Sequence, residues 1–300
     1  MMKRKLKVLA EQIQGNLYFD DTVRKIYATD ASSYREMPLA VALPKSKQDL
    51  VKLIRFAHNE SVSIIPRAAG TSLAGQVVGS GIVVDISKEF CEIIEVNEED
   101  SYALVQPGVI RDELNLHLKP YGLFFGPETS TSNRCMLGGM VGNNACGARS
   151  LIYGSTREHL ISMKVILADG NETEFKALNS EEFEAKTKGI GTVSELETQI
   201  YRQAKELFSD PGNRIEIENE FPKKNIPRRN TGYALDLLAN TNPFTDSEEQ
   251  FNFCKLLAGS EGTLAFTTEL KVKLVPAPSK HQAVVCMHFN SINESLKGNL

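Results

Sequence analysis

Residues 66–75 read "PRAAGTSLAG" and follow directly on the apolar run "VSII" at 62–65. A chain that leaves a strand through Pro66 and continues with almost nothing but small side chains has little there to pack with. What such a segment offers is its backbone. Small side chains let a ligand come close, and N–H groups facing inward across a tight loop make a concave site for an anion. The stretch matches neither the dinucleotide fingerprint G-x-G-x-x-G nor the phosphate loop G-x-x-x-x-G-K-[ST], since no Lys follows its glycines. A nicotinamide-binding Rossmann unit and a P-loop are both disfavoured. On this tract alone, a plain surface loop remains the competing reading.

The flanking sequence gives the loop its setting. Upstream, "PKSKQDLVKLIRFAHNE" carries Ser46 with Asp49 three residues on, then Leu50, Val51, Leu53, Ile54 and Ala57 on one face, which predicts a helix over 47–60. "SVSIIP" then reads as a short buried strand, and "GIVVDIS" after Gly81 as another. "CEIIEV", the turn "NEED" and "SYALVQPG" predict a hairpin. "VIRDELNLHLKPYG" predicts a helix with Ile110, Leu114 and Leu118 on one side and Gly122 just beyond it.

A second small-residue tract runs from Pro127 to Gly154, and its spacing and composition read as irregular and too poor in large apolar groups to join a core. Long irregular connections inside a compact domain are uncommon and usually functional or disordered. Two such tracts together suggest an extended ligand lying along both, with a diphosphate at the first. Beyond them come the strand "HLISMKVILADG" turning at Asp169-Gly170, its partner "NETEFKA", and a helix over 194–208. "PGNRIEIENEFPKKNIPRRNTGY" reads as a third irregular tract, and a helix is expected near 248–257. "GSEGTLAFTTELKVKLVPAP" is a glycine turn feeding a long strand. The last residues read as a strand, "HQAVVCMHF", and a helix start, "NSINESLKGNL", with Ser291 and Glu294 in capping positions. A two-turn helix is marginal alone, so the expectation is a piece of a longer chain that ends just inside a second domain.

Composition narrows the classes. Three hundred residues suffice for one large or two medium domains with a real core. Charged residues make up 24% and the net charge is −4, so nothing draws the chain generally to nucleic acid or an anionic membrane. Five Cys without a C-x-x-C pair indicate neither a zinc ribbon nor an iron–sulfur ligand run, nor a secreted disulfide framework. Free thiols in a reducing compartment follow. The expected location is the cytoplasm, with peripheral association at the inner membrane as an alternative. "MMKRKLKVLAEQIQ" reads as a short amphipathic helix, not a signal peptide, because its apolar run breaks at "EQIQ". No stretch of 18 apolar residues exists to span a membrane.

"PRAAGTSLAGQ" at 66–76 resembles the "PRGGGTSLAGQ" pyrophosphate loop of the FAD-binding domain shared by vanillyl-alcohol oxidase and p-cresol methylhydroxylase, the PCMH-type family. "PETSTSNRCMLGGMVGNNACG" followed by "YGS" resembles its second segment, and "GYALDLL" and "GSEGTLAFTTELKVKLVP" resemble its closing segments. The four motifs keep the family's order across residues 38–278, and as a set they are most similar to FAD-linked D-2-hydroxyacid dehydrogenases. The resemblance implies an α+β fold with an FAD-binding PCMH-type domain of two α/β subdomains over 36–278. An N-terminal helical extension over 1–35 would precede it, and from 279 the start of a ferredoxin-like cap would follow.

It implies further that Ala69, Gly70, Thr71 and Ser72 give their amides to the FAD pyrophosphate, with Arg67, Ala68, Gly75 and Gln76 also binding the cofactor. Pro127, Thr129, Gly138, Gly139, Asn144, Gly147 and Gly154 would cover the flavin ring and ribityl chain, and Glu261 and Gly262 would line the flavin at the last strand. Ala68 and Ala69 replace family glycines and do not readily take positive φ. None of the five His lies in either main tract, so noncovalent FAD is expected and no metal. The implied reaction is oxidation of a D-2-hydroxy acid of the D-lactate, glycolate or D-2-hydroxyglutarate type to the 2-oxo acid by hydride transfer to FAD, with an iron–sulfur domain or subunit as one candidate electron acceptor. Its catalytic residues are expected beyond residue 300. A flavin-binding relay module without a substrate site, or an NADPH-dependent reductase on the same fold, stays open.

Other candidates read more plainly. His58 and His117 are expected to be solvated or capping residues, and His159 is the one His near the second tract. Arg149 and Arg157 suit either a ligand anion or solvent. The basic run Lys223, Lys224, Arg228 and Arg229 suits a solvated loop or a contact with a further domain. Cys135 and Cys146 are expected to act as small apolar residues.

Overall fold

The computed structural model describes residues 1–223, 225–226, 228–229, 232–279, 281 and 283–298. The chain opens with helix α1 (Met2–Gln12), strand β1 (Asn16–Tyr18), α2 (Asp21–Ile26), β2 (Ala40–Leu43), α3 (Lys47–Glu60), β3 (Ile64–Arg67) and β4 (Ile82–Asp85). The four strands form one sheet in the order β1-β2-β4-β3, with β2 and β3 parallel to β4 and β1 antiparallel on the far edge. The apolar stripe anticipated on α3 is buried through Leu50, Leu53, Ile54 and Ala57, against Leu6 and Leu9 of α1. β3 is half-buried, not buried as its apolar run suggested: it is an edge strand, where Pro66 costs no ladder bond to a further neighbour.

Only half of the expected capping box at α3 is made. Ser46 Oγ accepts from Asp49 N–H, but the fully buried Asp49 carboxylate turns away to accept from the backbone N–H groups of Gln14, Gly15 and Lys45 at 2.8, 2.8 and 2.9 Å. It thereby ties the end of α1 to the start of α3.

The second unit begins with the hairpin β5 (Ile93–Asn97) and β6 (Tyr102–Val105), then α4 (Arg111–Leu118), β7 (Leu123–Phe124), α5 (Leu137–Asn143) and α6 (Ser150–Tyr153). β8 (Leu160–Ile166), β9 (Glu172–Lys176), α7 (Ser180–Thr187), α8 (Glu195–Ser209) and α9 (Pro211–Glu220) follow. The remainder is α10 (Leu235–Ala239), α11 (Cys254–Leu257), β10 (Phe266–Lys273), β11 (Val275–Pro276) and α12 (Ile292–Gly298). β10 enters the middle of a five-stranded antiparallel sheet, β5-β6-β10-β8-β9, so the long strand read from the sequence is the one that closes it. An aromatic cluster packs behind this sheet, with Phe183 and Phe251 ring centroids 4.6 Å apart.

The two units are joined by charge and by packing. Lys47, at the first turn of α3, donates to Glu172 on β9 at 2.9 Å and to Glu269 on β10 at 2.7 Å, and Lys164 on β8 reaches Glu269 at 2.8 Å. Burial opposes the charge on both Lys47 and Glu269, yet their mutual bonds hold the lysine above and the carboxyl below its ordinary range. Ile166 and Phe266 from the second sheet complete the apolar layer under the first.

Several expectations are corrected. The Pro127–Gly154 tract is not irregular throughout: it holds α5, and Leu137, Met140 and Val141 are core residues. The 211–233 tract begins as α9, with Pro211 in the first turn and Asp210 accepting from Gly212 and Asn213 N–H. The helix expected over 248–257 is reduced to α11. Phe251 is held in a β-bridge to Leu178, and Asn252 starts the helix by accepting from Cys254 N–H at 2.9 Å. α7, unmarked in the sequence analysis, is opened by a reciprocal Asn179–Glu182 cap. The described part of "HQAVVCMHF" forms no strand and is exposed, since no strand among the described residues pairs with it. Asn299 and Leu300 of the final helix pattern, and Lys224 of the basic run, lie outside the described residues.

Replacing Asp49 by Ala removes the acceptor of three part-buried N–H bonds and empties a buried position, so we expect Asp49→Ala to lower the unfolding free energy in urea by about 1–3 kcal/mol. Burial pushes the Asp49 carboxyl up, and the three N–H groups outweigh it, holding the group below its usual value. The stabilisation should therefore be present above the unfolded pKa of about 3.9 and be lost as pH falls through the folded value. An Asp49→Ala protein with wild-type stability at neutral pH would contradict this.

Candidate functional site

The parallel pairing of β3 with β4 sets Arg67 opposite Asp85 and delivers the loop 68–76 at the carboxyl end of the sheet. Gly70 and Gly75 take left-handed φ values of 64° and 79°, whereas Ala68 and Ala69 keep ordinary φ, so the loop needs glycine only where glycine remains. The N–H groups of Ala69, Gly70, Thr71 and Ser72 donate to no protein acceptor among the described residues. Four successive unpaired donors at one loop require an outside acceptor.

The segment before β2 braces this loop from below. Tyr27 O–H donates to Asp85 Oδ2 at 2.6 Å, and burial first, then Asp85, pushes its hydroxyl pKa upward. The Arg67 guanidinium lies 5.1 Å over the Tyr27 ring and donates to Thr29 O at 2.9 Å. Ala31 N–H donates to Gly70 O at 3.2 Å, and Tyr34 packs so tightly on Gly75 that a Cβ there would meet its ring at 2.8 Å.

The loop forms one wall of a cavity of about 400 Å³, within the range of cofactor sites. The opposite wall is α5 and the turn 259–262, stitched together by Gly259 N–H to Val141 O and Glu261 N–H to Gly142 O, both 2.9 Å. Glu261 holds a left-handed φ of 54°. Burial raises its carboxyl pKa, and hydrogen bonds from Asn143 and Gln76 offset this only in part. Arg67 and Glu261 are the charged residues lining the cavity. An anion inside it would thus be met chiefly by amides.

Residues 38–176 match the family model described as FAD binding domain. This chain thus carries an FAD-binding domain. D-2-hydroxyglutarate dehydrogenase of Haemophilus influenzae is 33% identical over 293 residues, covering 96% of this chain and 27% of that protein. The Escherichia coli K12 protein of the same name is 36% identical over 277 residues, 91% of this chain and 26% of that protein. Glycolate oxidase subunit GlcD of Bacillus subtilis is 28% identical over 294 residues, covering 97% and 49%. A solved alkyldihydroxyacetonephosphate synthase superposes with a TM-score of 0.58 at 18% identity, over 92% of this chain and 40% of that one, which shows the shared fold. The chain spans about a quarter of the length of the D-2-hydroxyglutarate dehydrogenases it matches.

FAD is the cofactor of this domain, and the cavity suits it: a diphosphate supplies acceptors for the four open N–H groups, and Gly139 and Gly142 leave room where side chains would intrude. Of the residues that the motifs single out, Arg67, Ala68, Ala69, Gly70, Thr71, Ser72, Gln76, Thr129, Gly138, Gly139, Glu261 and Gly262 line the cavity. Gly75, Pro127, Asn144, Gly147 and Gly154 do not. Gly75 supports Tyr34, Pro127 O accepts from Arg111 Nε at 3.0 Å, and Asn144 ends α5 and accepts from Arg157 N–H at 2.9 Å. Gly147 lies against Glu128 and Gly154 against Glu158.

The sequence analysis missed Pro107, Met136 and Phe266 as wall residues; apolar side chains at strand and helix ends carry no motif. His159 is buried away from the cavity, its ring nitrogens 3.0 Å from Lys273 O and 2.7 Å from Tyr153 O. Cys135 lines the cavity, and burial raises its thiol pKa, in keeping with an unreactive side chain.

Neighbouring glycines of α5 should behave differently. A Cβ at Gly138 would stand 2.6 Å from Pro107 Cβ and 3.0 Å from its carbonyl oxygen, whereas one at Gly139 would meet only Ala68 Cβ at 3.5 Å. Gly138→Ala should therefore cost about 1–3 kcal/mol of stability. Gly139→Ala should fold normally and weaken FAD binding by roughly tenfold, about 1.4 kcal/mol. Thermal melts and FAD fluorescence titration of the two proteins would show the opposite pattern if the glycine faces were assigned wrongly.

Proposed function

We propose that this chain is the FAD-binding part of a flavin-dependent dehydrogenase that oxidises a D-2-hydroxy acid to the 2-oxo acid. Residues 36–278 make up the FAD domain, with 1–35 preceding it and 279–300 opening a further domain. The observation that carries the reading is the row of four unpaired N–H groups, Ala69 to Ser72, on a 400 Å³ cavity bearing little charge of its own. Fixed N–H donors grip an anionic diphosphate without the desolvation cost of burying lysines.

Arg67 holds the end of the loop in register through Thr29 and Tyr27. Gly138 and Gly139 let α5 approach the cofactor, and Thr129 and Glu261 present hydroxyl and carboxylate oxygens to its polar parts. Among the described residues no His lines the cavity, which supports noncovalent attachment. Bound FAD supplies the hydride acceptor for the α-carbon of the substrate, and the chain contributes its orientation and electrostatics. The base that takes the hydroxyl proton, and the electron acceptor, belong in this reading to partners of the domain. The names of the D-2-hydroxyglutarate dehydrogenase and GlcD relatives support a 2-hydroxy acid as the substrate class.

Two measurements test this. The purified chain should take up FAD with one-to-one stoichiometry, and a colourless folded protein that ignores added FAD in calorimetry would end the proposal. The full-length protein should lose its oxidised flavin absorbance on anaerobic addition of D-2-hydroxyglutarate, D-lactate or glycolate. Bleaching by NADPH instead would favour a reductase, and bleaching by neither would favour a relay module.

A further inference from the structure

Among the described residues, four buried side-chain polar atoms lack a hydrogen-bond partner, and three of them, Arg157 Nε, Arg229 Nε and Asp236 Oδ1, belong to one cluster. Their residues line a second cavity of about 70 Å³, together with Arg228, Ser150 and Ser155. Arg157 is only 7% exposed, and its Nη2 is already committed to Gly232 O at 3.0 Å and Ala258 O at 2.5 Å. Arg229 and Asp236 pair through Nη2 and Oδ2, which leaves Arg229 Nε–H and Asp236 Oδ1 unused.

The cluster has two spare donors, one spare carboxylate acceptor and an unbalanced charge. Arg228 and Glu158 are exposed to solvent, whereas among the described residues the little-exposed Arg157 and Arg229 share a single comparably buried carboxylate, Asp236, so one positive charge is left over. Water would satisfy the hydrogen bonds but not the charge, and excess charge in a half-buried pocket is unfavourable. The occupant that balances both is a monoanion with two acceptor oxygens and a hydroxyl donor. Carboxylates suit guanidinium N–H groups in geometry as well as in charge.

The geometry points to a second ligand site, separate from the flavin cavity, that binds a small 2-hydroxymonocarboxylate: its carboxylate accepts from Arg157 and Arg229, and its hydroxyl donates to Asp236. The wall between the two cavities is one residue thick. A Cβ on Gly259 would lie 2.8 Å from Arg157 Nη2, while the next residues, Ser260 and Glu261, line the flavin side. Ala145 faces the flavin cavity and Cys146 the second one. The ligand is thereby placed beside the flavin site without reaching into it, and its binding does not depend on turnover.

The test is calorimetric titration of the FAD-loaded chain with glycolate, D-lactate and acetate. Glycolate and D-lactate should saturate one site, and acetate, lacking the hydroxyl, should bind at least fivefold more weakly. Arg229→Gln should weaken glycolate at least tenfold, and Asp236→Asn should remove the preference for glycolate over acetate, with FAD binding unchanged in both. Near-ultraviolet circular dichroism checks the fold of each variant, and either variant suffices if the other misfolds. The inference is overturned if wild-type protein gives no saturable heat with glycolate, which would mean a water-filled cavity. It is equally overturned if glycolate binds both variants as it binds wild type, which would place the ligand at the flavin face. A failure of the flavin reading looks different: FAD would not bind, while the glycolate titration would keep its dependence on Arg229 and Asp236.

Discussion

The structure turns on four main-chain amides that the protein itself leaves without acceptors. Keeping Ala69, Gly70, Thr71 and Ser72 open costs stability unless the loop is held in place by something other than its own hydrogen bonds. The holding is done from outside. β3 fixes one end by parallel pairing to β4, and the 27–34 segment supports the rest through Tyr27, Thr29, Ala31 and Tyr34. A loop braced in this way keeps its donors aimed before a ligand arrives, so little ordering entropy is lost on binding.

The second requirement is that two differently built sheets meet at a fixed distance. The parallel sheet carries the amide loop, and the antiparallel sheet carries α5 and the 259–262 turn that face it. Lys47 bridges them through Glu172 and Glu269, and Ile166 and Phe266 bury the seam. The charged bridge adds geometric register to an interface whose free energy comes mainly from apolar burial. The glycines of α5 then let the helix sit close enough to close the cavity.

Much of this was legible because local rules and tertiary structure agree. The helix over 47–60 has its Ser46 cap and its apolar stripe in a single window, and the structure keeps both, although Asp49 does not complete the capping box. The hairpin over 93–105 and the paired strands around Asp169-Gly170 were equally readable, because turn residues fix the register of adjacent strands. In the Pro127–Gly154 tract glycine density reads as irregularity, yet the tract holds a helix. Leu137, Met140 and Val141 already stand at helical spacing, and their helix is paid for by packing rather than by propensity. The helix expected before Leu257 failed for the opposite reason: Phe251 gains more in the aromatic cluster than in a helical turn.

By itself the sequence determined the helix over 47–60, the paired strands and the small-residue loops with their FAD-binding motifs, since those depend on neighbours in the chain and on motifs with fixed spacing. Only the tertiary structure decided which small residues face the cavity. Glycines at 138 and 139 are alike in sequence, yet one is pressed on Pro107 and the other opens toward Ala68. It also decided that Gly154 and Arg157 belong to a separate charged pocket. Cavity walls are assembled from segments more than a hundred residues apart, and no local pattern encodes which face of a backbone a distant segment will cover.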